Sequence, residues 1–169
     1  RESIMGTAKK GKVRAAADSN VGMEKVKEEK AKPVSKTADS RDRLVYDVLV
    51  GLDGKVYFHV TGREPDNLRV PGEALRKPIA CELFFRELEP SSDGKSTFSA
   101  SVFKPILPGN NDNRAFFIAI LREEGVLEAI KSNPVRSSRV VPKEFATYEE
   151  KMRQLAKKAS RSRKAPKRT

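Results

Sequence analysis

The distribution of large apolar side chains most constrains how this chain can fold. Residues 1–43 contain no aromatic residue and few Leu, Ile, Val or Met, and residues 157–168 contain no apolar residue larger than Ala. We expect neither segment to bury enough apolar surface to offset the entropy of ordering its backbone. The sequence therefore predicts three parts: a basic extended arm (1–43), a compact body (44–141), and an amphipathic helix with a basic tail (142–169).

Charge follows the same division. The formal net charge is +12, of which the arm carries +5, the body zero and residues 142–169 +7. An enzyme for an acidic substrate would more often place positive charge around a cleft in its body. Two cationic ends on a neutral body instead favour a small domain anchored to nucleic acid over one whose tails merely increase solubility.

Two β-hairpins are predicted in the body. Residues 44–50 and 55–61 are rich in Val, Tyr and Phe and flank an Asp-Gly turn at 51–54, which is a strong hairpin signal. Residues 79–88 and 97–104 flank a second Asp-Gly turn, and apolar residues alternate in the latter segment. Residues 79–88 could instead be helical.

A core helix is predicted over 114–124, with possible N-caps among 110–113. Its residues Phe117, Ile120, Leu121 and Glu124 fall at helical spacing, and Gly125 is well placed to end it. Residues 126–130 could continue as a strand or a further helical turn, and 135–141 could add a short basic strand.

The last helix is predicted to open at Pro142. Phe145, Tyr148, Met152 and Leu155 form one apolar stripe along it. Thr147 with Glu150 would form a capping box if the helix began later. In the arm, interleaved Glu and Lys predict a short charged helix over 22–32, which Pro33 would end.

These elements predict an α+β fold. It consists of a small antiparallel sheet of two hairpins with a core helix on one face, a C-terminal amphipathic helix, and disordered-type basic extensions at both ends.

Catalysis is poorly supported by the residue types present. The chain has one Cys, Cys81, and one His, His59, which cannot supply the usual zinc ligand sets. Both lie in predicted strands, so a Cys–His nucleophilic pair is not expected. Adjacent Glu123 and Glu124 would point about 100° apart on a helix and are interpreted as a polar face meeting solvent or a basic partner. We expect no catalytic residue, no metal, no cofactor and no small-molecule substrate.

Two further carboxylates fall within predicted strands. Asp47 and Glu82 are interpreted as edge or solvent-facing charges rather than an acid–base pair.

The two basic ends carry the functional signal, because Lys and Arg neutralise phosphates without reading bases. The candidate RNA-binding residues are Lys157, Lys158, Arg161, Arg163, Lys164, Lys167 and Arg168 at one end, and Lys9, Lys10, Lys12 and Arg14 at the other. An alternative is a sheet that stacks bases on outward aromatic residues. The competing interpretation, that these rings form the core, is favoured because the neutral body needs its aromatic residues inside.

In its composition, a small neutral body with two basic extensions, the chain resembles ribosomal proteins, especially those of mitochondrial and other organellar ribosomes. Residues 101–108 and 120–127 also resemble the strand–Pro–helix–Leu-Lys-x-Glu-Gly-Phe-Ile segment of the universal small-subunit ribosomal protein S-eight family. The rRNA-binding Ser-Thr-Ser loop of that family is absent, and the two predicted hairpins are foreign to it. No binding residues are therefore carried over.

We expect a non-catalytic, structural RNA-binding component of a large ribonucleoprotein, with a mitochondrial ribosome as the first candidate. Its expected partners are rRNA and neighbouring proteins of the particle, and no membrane association is expected. A nuclear or cytoplasmic location is the alternative. The chain begins at Arg1 rather than Met, which is consistent with processing or with an incomplete sequence. The competing functions are a single-strand nucleic-acid-binding or chromatin-associated protein, and a non-catalytic protein-interaction adaptor.

Overall fold

A computed structural model describes residues 22–34, 41–64, 77–109 and 111–164. Its strands are β1 (Glu24–Ala31), β2 (Arg43–Val50), β3 (Val56–Glu64), β4 (Ile79–Ala80), β5 (Leu127–Ala129) and β6 (Ser138–Val140). Its α-helices are α1 (Cys81–Leu88), α2 (Asn111–Glu123) and α3 (Pro142–Lys164). Short 3₁₀ turns cover Glu89–Ser91 and Ala100–Phe103.

The main sheet is antiparallel, with strand order β1-β2-β3-β4, and β5 and β6 form a second two-stranded sheet. The β2–β3 hairpin has the predicted position, with Leu49 opposite Tyr57 and Val50 opposite Val56. The predicted α+β class is confirmed, as are the short strands after α2.

Part of the predicted arm belongs to the sheet. The predicted charged helix over 22–32 is wrong, because Glu24–Ala31 is strand β1, which pairs with β2 from Leu44 to Val50. Its Lys and Glu residues suit an exposed edge strand, where charged side chains are common. The free backbone edge of β2 outweighs a weak helical propensity, so the ordered domain begins well before the predicted boundary at 44.

The predicted second hairpin is wrong, and the helical alternative for 79–88 is right. After the two residues of β4 the chain forms α1, which buries Cys81, Phe84, Phe85 and Leu88 at helical spacing. Residues 97–104 contribute only a bridge between Phe98 and Ser138 before the 3₁₀ turn Ala100–Phe103. The strand that the ribosomal S-eight resemblance implies near 101–104 is therefore absent from that segment.

Helix α2 ends as predicted. Gly125 has a φ of +80°, a region that glycine occupies without steric cost. Its N–H donates to the Arg122 carbonyl over 3.1 Å, and the Val126 N–H donates to the Leu121 carbonyl over 3.0 Å. This pair of bonds is the Schellman motif, which satisfies the last carbonyls of a helix.

Helix α3 begins at Pro142, as predicted, so no capping box forms at Thr147. The Thr147 hydroxyl instead donates to the Lys143 carbonyl. The buried stripe also differs from the predicted one at its end: Ala156 is buried, whereas Leu155 is 41% exposed. A small residue there lets the helix lie close to the sheet.

One face of the sheet carries the core. Tyr46, Val48 and Phe58 are fully buried on this face, and α3 contacts β1, β2 and β3. The ring centroids of Phe58 and Tyr148 lie 6.1 Å apart, and the Phe84 and Phe117 rings of α1 and α2 stack at 4.4 Å. Among the described residues, no helix is both long and apolar enough to cross a membrane.

Candidate nucleic-acid interface

Helix α3 has two halves with different environments. Tyr148, Met152 and Ala156 bury one face of the first half. Beyond Ala156, no residue of the helix whose burial is described is buried. Residues 157–164, here called the basic end, contain five Lys or Arg and no acid. At 1.5 Å per residue the basic end adds about 12 Å of helix.

The basic end is helical, whereas the sequence predicted a disordered tail. Of the predicted RNA-binding residues, Lys157, Lys158 and Arg161 lie on it with exposed side chains. Arg163 and Lys164 belong to the same helix. Lys167 and Arg168, and at the other terminus Lys9, Lys10, Lys12 and Arg14, lie outside the described residues. The structure thus brings together one group of the predicted cations.

Lys157, Lys158 and Arg161 share one side of α3. At 100° per residue, Arg161 lies about 40° from Lys157 around the helix axis and about 60° from Lys158. Within the described part of the chain these three side chains make no hydrogen bond or ion pair. Arg153, one turn earlier, pairs with Glu149 and Glu150. The basic end therefore presents cations that are available to an external anion.

Helix electrostatics explain how so many cations remain helical. The C-terminal end of a helix carries a partial negative charge, which stabilises nearby cations by about 0.3–1 kcal/mol each. The i,i+4 repulsion between Lys157 and Arg161 has a similar or smaller size, about 0.2–0.5 kcal/mol. The two effects offset one another, so the segment can stay helical with its charges spaced along a rigid support.

A buried carboxylate anchors the first half of α3. The Glu124 side chain, only 1% exposed, follows the last residue of α2. Its carboxylate accepts hydrogen bonds from the hydroxyls of Tyr46 at 2.5 Å and Tyr148 at 2.7 Å. The Lys27 ammonium of β1 lies 2.8 Å from the same carboxylate. Glu124, Tyr46, Tyr148 and Lys27 together form the Glu124 cluster, which joins β1, β2, α2 and α3.

Burial and the neighbouring Glu124 charge raise the pKa of the Tyr46 and Tyr148 hydroxyls far above the ordinary value. Both phenols stay protonated and keep donating to the carboxylate. A buried charge is tolerated when its hydrogen bonds are satisfied and a counter-ion is close. The Glu124 cluster meets both conditions.

A partial signal for this cluster is present in the sequence. Glu124 shares the helical spacing of Phe117, Ile120 and Leu121, which are buried. Its position on the core face of the helix can therefore be predicted from the sequence. Of the two interpretations offered for Glu124, contact with solvent is wrong and a basic partner is right. That partner is Lys27, in a segment predicted to be an arm.

The other two carboxylates have different outcomes. Asp47 is only 8% exposed and lies 3.4 Å from the Lys25 ammonium, so a solvent-facing position is wrong for it. It lies on β2, an interior strand. Glu82 is partly exposed and pairs with Lys55 at 3.0 Å, as expected for a surface charge.

A groove lies where α3 passes the β2–β3 hairpin. It has a volume of about 530 Å³. Its apolar side chains are Met23, Val50, Leu52 and Ala156, and the charged residues Glu24, Arg153 and Lys157 border it. Sequence reasoning missed this groove, because its walls come from three segments that only the tertiary fold brings together.

The structure does not pair Cys81 with His59. Cys81 is fully buried at the start of α1, and burial raises the pKa of its thiol. His59 alternates along β3 with the buried Phe58 and Val60, so it lies on the other face of the sheet. Among the described residues, no group of three or more His, Cys, Asp or Glu is arranged to hold a metal ion.

The aromatic residues form a core rather than a stacking platform. Tyr46, Phe58, Phe84 and Phe103 are fully buried. Tyr57 lies on the outer face of the sheet, and its hydroxyl donates to Asp53 at 3.0 Å. One ring of this kind does not make a surface for several bases, so the core interpretation is correct.

Comparison with known proteins yields no relative: no family model, curated protein or solved structure matches this chain.

Proposed function

We propose that this protein is a non-catalytic, structural RNA-binding component of a large ribonucleoprotein, with a mitochondrial ribosome as the leading candidate. The observation that carries the proposal is the basic end of α3. Five cations in eight residues extend from a helix whose other half is fixed in the core. Partners would be rRNA and neighbouring proteins of the particle.

The binding mechanism follows from this geometry. Each Lys or Arg that neutralises a phosphate releases a condensed counter-ion, so affinity falls as salt concentration rises. Because α3 is anchored by the Glu124 cluster, the cations of the basic end keep their spacing before RNA arrives. A pre-organised surface loses less conformational entropy on binding than a disordered tail. Specificity would come from the shape of the RNA, not from its base edges.

Salt-dependent RNA binding tests the proposal with matched double variants of one helix. Lys157→Gln/Lys158→Gln removes two cations from the basic end, and Lys143→Gln/Lys151→Gln removes two exposed lysines from the first half. The slope of log affinity against log salt should fall by about 1.4–1.8 in the first variant, at 0.7–0.9 per phosphate contact, and stay unchanged in the second. Equal slopes for the two variants would contradict the role of the basic end.

Assembly into a particle is tested in the cell. Lysate is fractionated on a density gradient with and without ribonuclease, and the protein is followed by immunoblot. We expect a heavy fraction that shifts on ribonuclease treatment. If the protein sediments in a light fraction at low salt and ribonuclease does not change its position, it is not part of a ribonucleoprotein.

A further inference from the structure

The β2–β3 turn presents an apolar side chain in a fixed position. Leu52 is 93% exposed at the tip of this turn. The Gly51 N–H donates to the Lys55 carbonyl at 2.9 Å, and the Gly54 N–H donates to the Gly51 carbonyl at 3.0 Å. The Asp53 carboxylate accepts from the Lys55 N–H and from the Tyr57 hydroxyl, both at 3.0 Å. These four bonds hold the turn, so the exposure of Leu52 is not the result of a loose loop.

Contacts from two other segments fix the turn relative to the groove. The Arg153 guanidinium of α3 donates to the Gly54 carbonyl at 3.5 Å. A Cβ on Gly22 would lie 3.1 Å from Leu52 Cδ1, so the Leu52 side chain passes close to the Gly22 backbone. Leu52 therefore forms one wall of the groove, and α3 forms the opposite wall.

The groove combines an apolar lining with charged residues on its border, the cation Lys157 and the carboxylate Glu24. Val50, Met23 and Ala156 provide apolar surface, and Lys157 on the border makes no ion pair among the described residues. Its volume of about 530 Å³ falls in the range of sites that hold small ligands. A matching ligand has a flat or compact apolar part next to an anionic group.

We propose that this groove binds an unpaired base of an RNA strand whose phosphates lie along the basic end of α3, with Leu52 as an apolar wedge against the base. The proposal rests on the proposed RNA-binding function and specifies the form of RNA, a single strand or loop. Leu and Met side chains act as apolar wedges between the base steps of duplex DNA, where they partially unstack the bases. An exposed Leu is therefore a suitable side chain to contact a base that is already unpaired.

Charge favours RNA over an acidic peptide. The border cation Lys157 is followed directly by Lys158, and Arg161 lies one helical turn further along α3. A strand with one phosphate per nucleotide supplies an anion for each of them, next to an apolar base for the groove. A peptide would need several carboxylates in a row and a suitably spaced apolar residue.

The test compares Leu52→Ala with Leu155→Ala, the other large exposed apolar residue among those described. Fluorescence anisotropy measures binding to a single-stranded RNA, to the same strand with abasic sites, and to a duplex of equal length. The wild type should bind the intact strand about 5–10-fold more tightly than the abasic strand or the duplex, which is near the lower end of the effect that a base–aromatic contact has. Leu52→Ala should remove most of this preference without changing the salt slope, and Leu155→Ala should retain it.

Two results would overturn this inference but leave the proposed RNA binding in place. They are equal affinity of the wild type for all three nucleic acids, and an unchanged preference for the intact strand in Leu52→Ala. Displacement of the single strand by polyglutamate as effectively as by unlabelled RNA would assign the groove to an acidic protein segment instead. If the wild type binds none of the nucleic acids, the proposed function fails as well. Leu52 is so exposed that its replacement should leave the fold intact, which circular dichroism checks.

Discussion

The two halves of α3 differ in burial and in charge. The first half, up to Ala156, is joined to the sheet and to α2 through Tyr148 and the Glu124 cluster. In the basic end, Lys157, Lys158 and Arg161 are exposed and make no hydrogen bond or ion pair among the described residues. The difference predicts that stability depends on the first half and that the proposed RNA binding depends on the basic end. Changes to the first half should therefore lower the free energy of unfolding, and changes to the basic end should lower affinity.

The largest expected effect on stability is at Glu124. Glu124→Ala leaves the Tyr46 and Tyr148 hydroxyls and the Lys27 ammonium without their shared acceptor. Breaking a buried pair in this way costs about 3–5 kcal/mol, measured by urea denaturation. Glu150→Ala is the matched control, because Glu150 is exposed on α3 and its bond to Arg153 should contribute less than about 1 kcal/mol. Equal losses in the two variants would show that the cluster is not the anchor.

Met152 should give the next largest effect. Its side chain is 3% exposed in the first half of α3, and Met152→Ala should lower the free energy of unfolding by about 2–4 kcal/mol through lost burial and a residual cavity. Leu155→Ala, three residues further along, should cost less than about 1 kcal/mol because Leu155 is partly in water. Thermal unfolding of both variants measures the contrast, and a costlier Leu155→Ala would reverse the assigned helix face.

Alkaline pH should weaken the anchored half. The pKa of Tyr46 and of Tyr148 is raised above the ordinary value of 10.0. Above pH 10 the unfolded chain loses these protons while the native protein retains them. The associated stability is thus fully present below pH 10 and falls as pH rises, by up to about 1.4 kcal/mol per pH unit for each tyrosine.

Urea titrations from pH 9 upwards measure this decline. Tyr148→Phe removes one of the two titrating hydroxyls. The free energy of unfolding of this variant should be lower than that of the wild type at neutral pH but should fall less steeply above pH 10. A slope as steep as that of the wild type would show that Tyr148 does not contribute.

The smallest expected effect on stability is at the basic end. Lys157→Gln, Lys158→Gln and Arg161→Gln should each change the free energy of unfolding by no more than about 0.5 kcal/mol, as surface substitutions usually do. Chemical denaturation checks this, with salt-dependent RNA binding measured on the same samples. A loss of several kcal/mol would mean that the basic end packs on the body and is not free for RNA.

Local patterns predicted those elements whose signals are complete within a few residues. The β2–β3 hairpin was found from its Asp-Gly turn, α2 from its spacing and Gly125, and the start of α3 from Pro142. The patterns failed for β1 and for the second hairpin. In β1 the charged residues match an exposed helix as well as an edge strand, and only pairing with β2 distinguishes them. In α1 the spacing of Cys81, Phe84, Phe85 and Leu88 competed with a nearby Asp-Gly turn.

Of the candidate interface, the sequence predicted the charges but not their support. It identified Lys157, Lys158 and Arg161 from composition, and it could not show that they lie on an ordered helix beside a groove. The groove needs Gly22, Leu52 and Ala156 together, from three segments far apart in the chain.

The sequence by itself determined the segregation of charge, the α+β class and the apolar stripes, since these depend on residue type and short-range periodicity. The tertiary structure alone decided that β1 joins the sheet, that Glu124 is enclosed by two tyrosines and a lysine, and that the basic end leaves the body next to Leu52. The physical reason is that burial and electrostatic pairing depend on which surfaces meet. The sequence places Glu124 on the apolar face of α2, but only the fold surrounds its carboxylate with Lys27, Tyr46 and Tyr148.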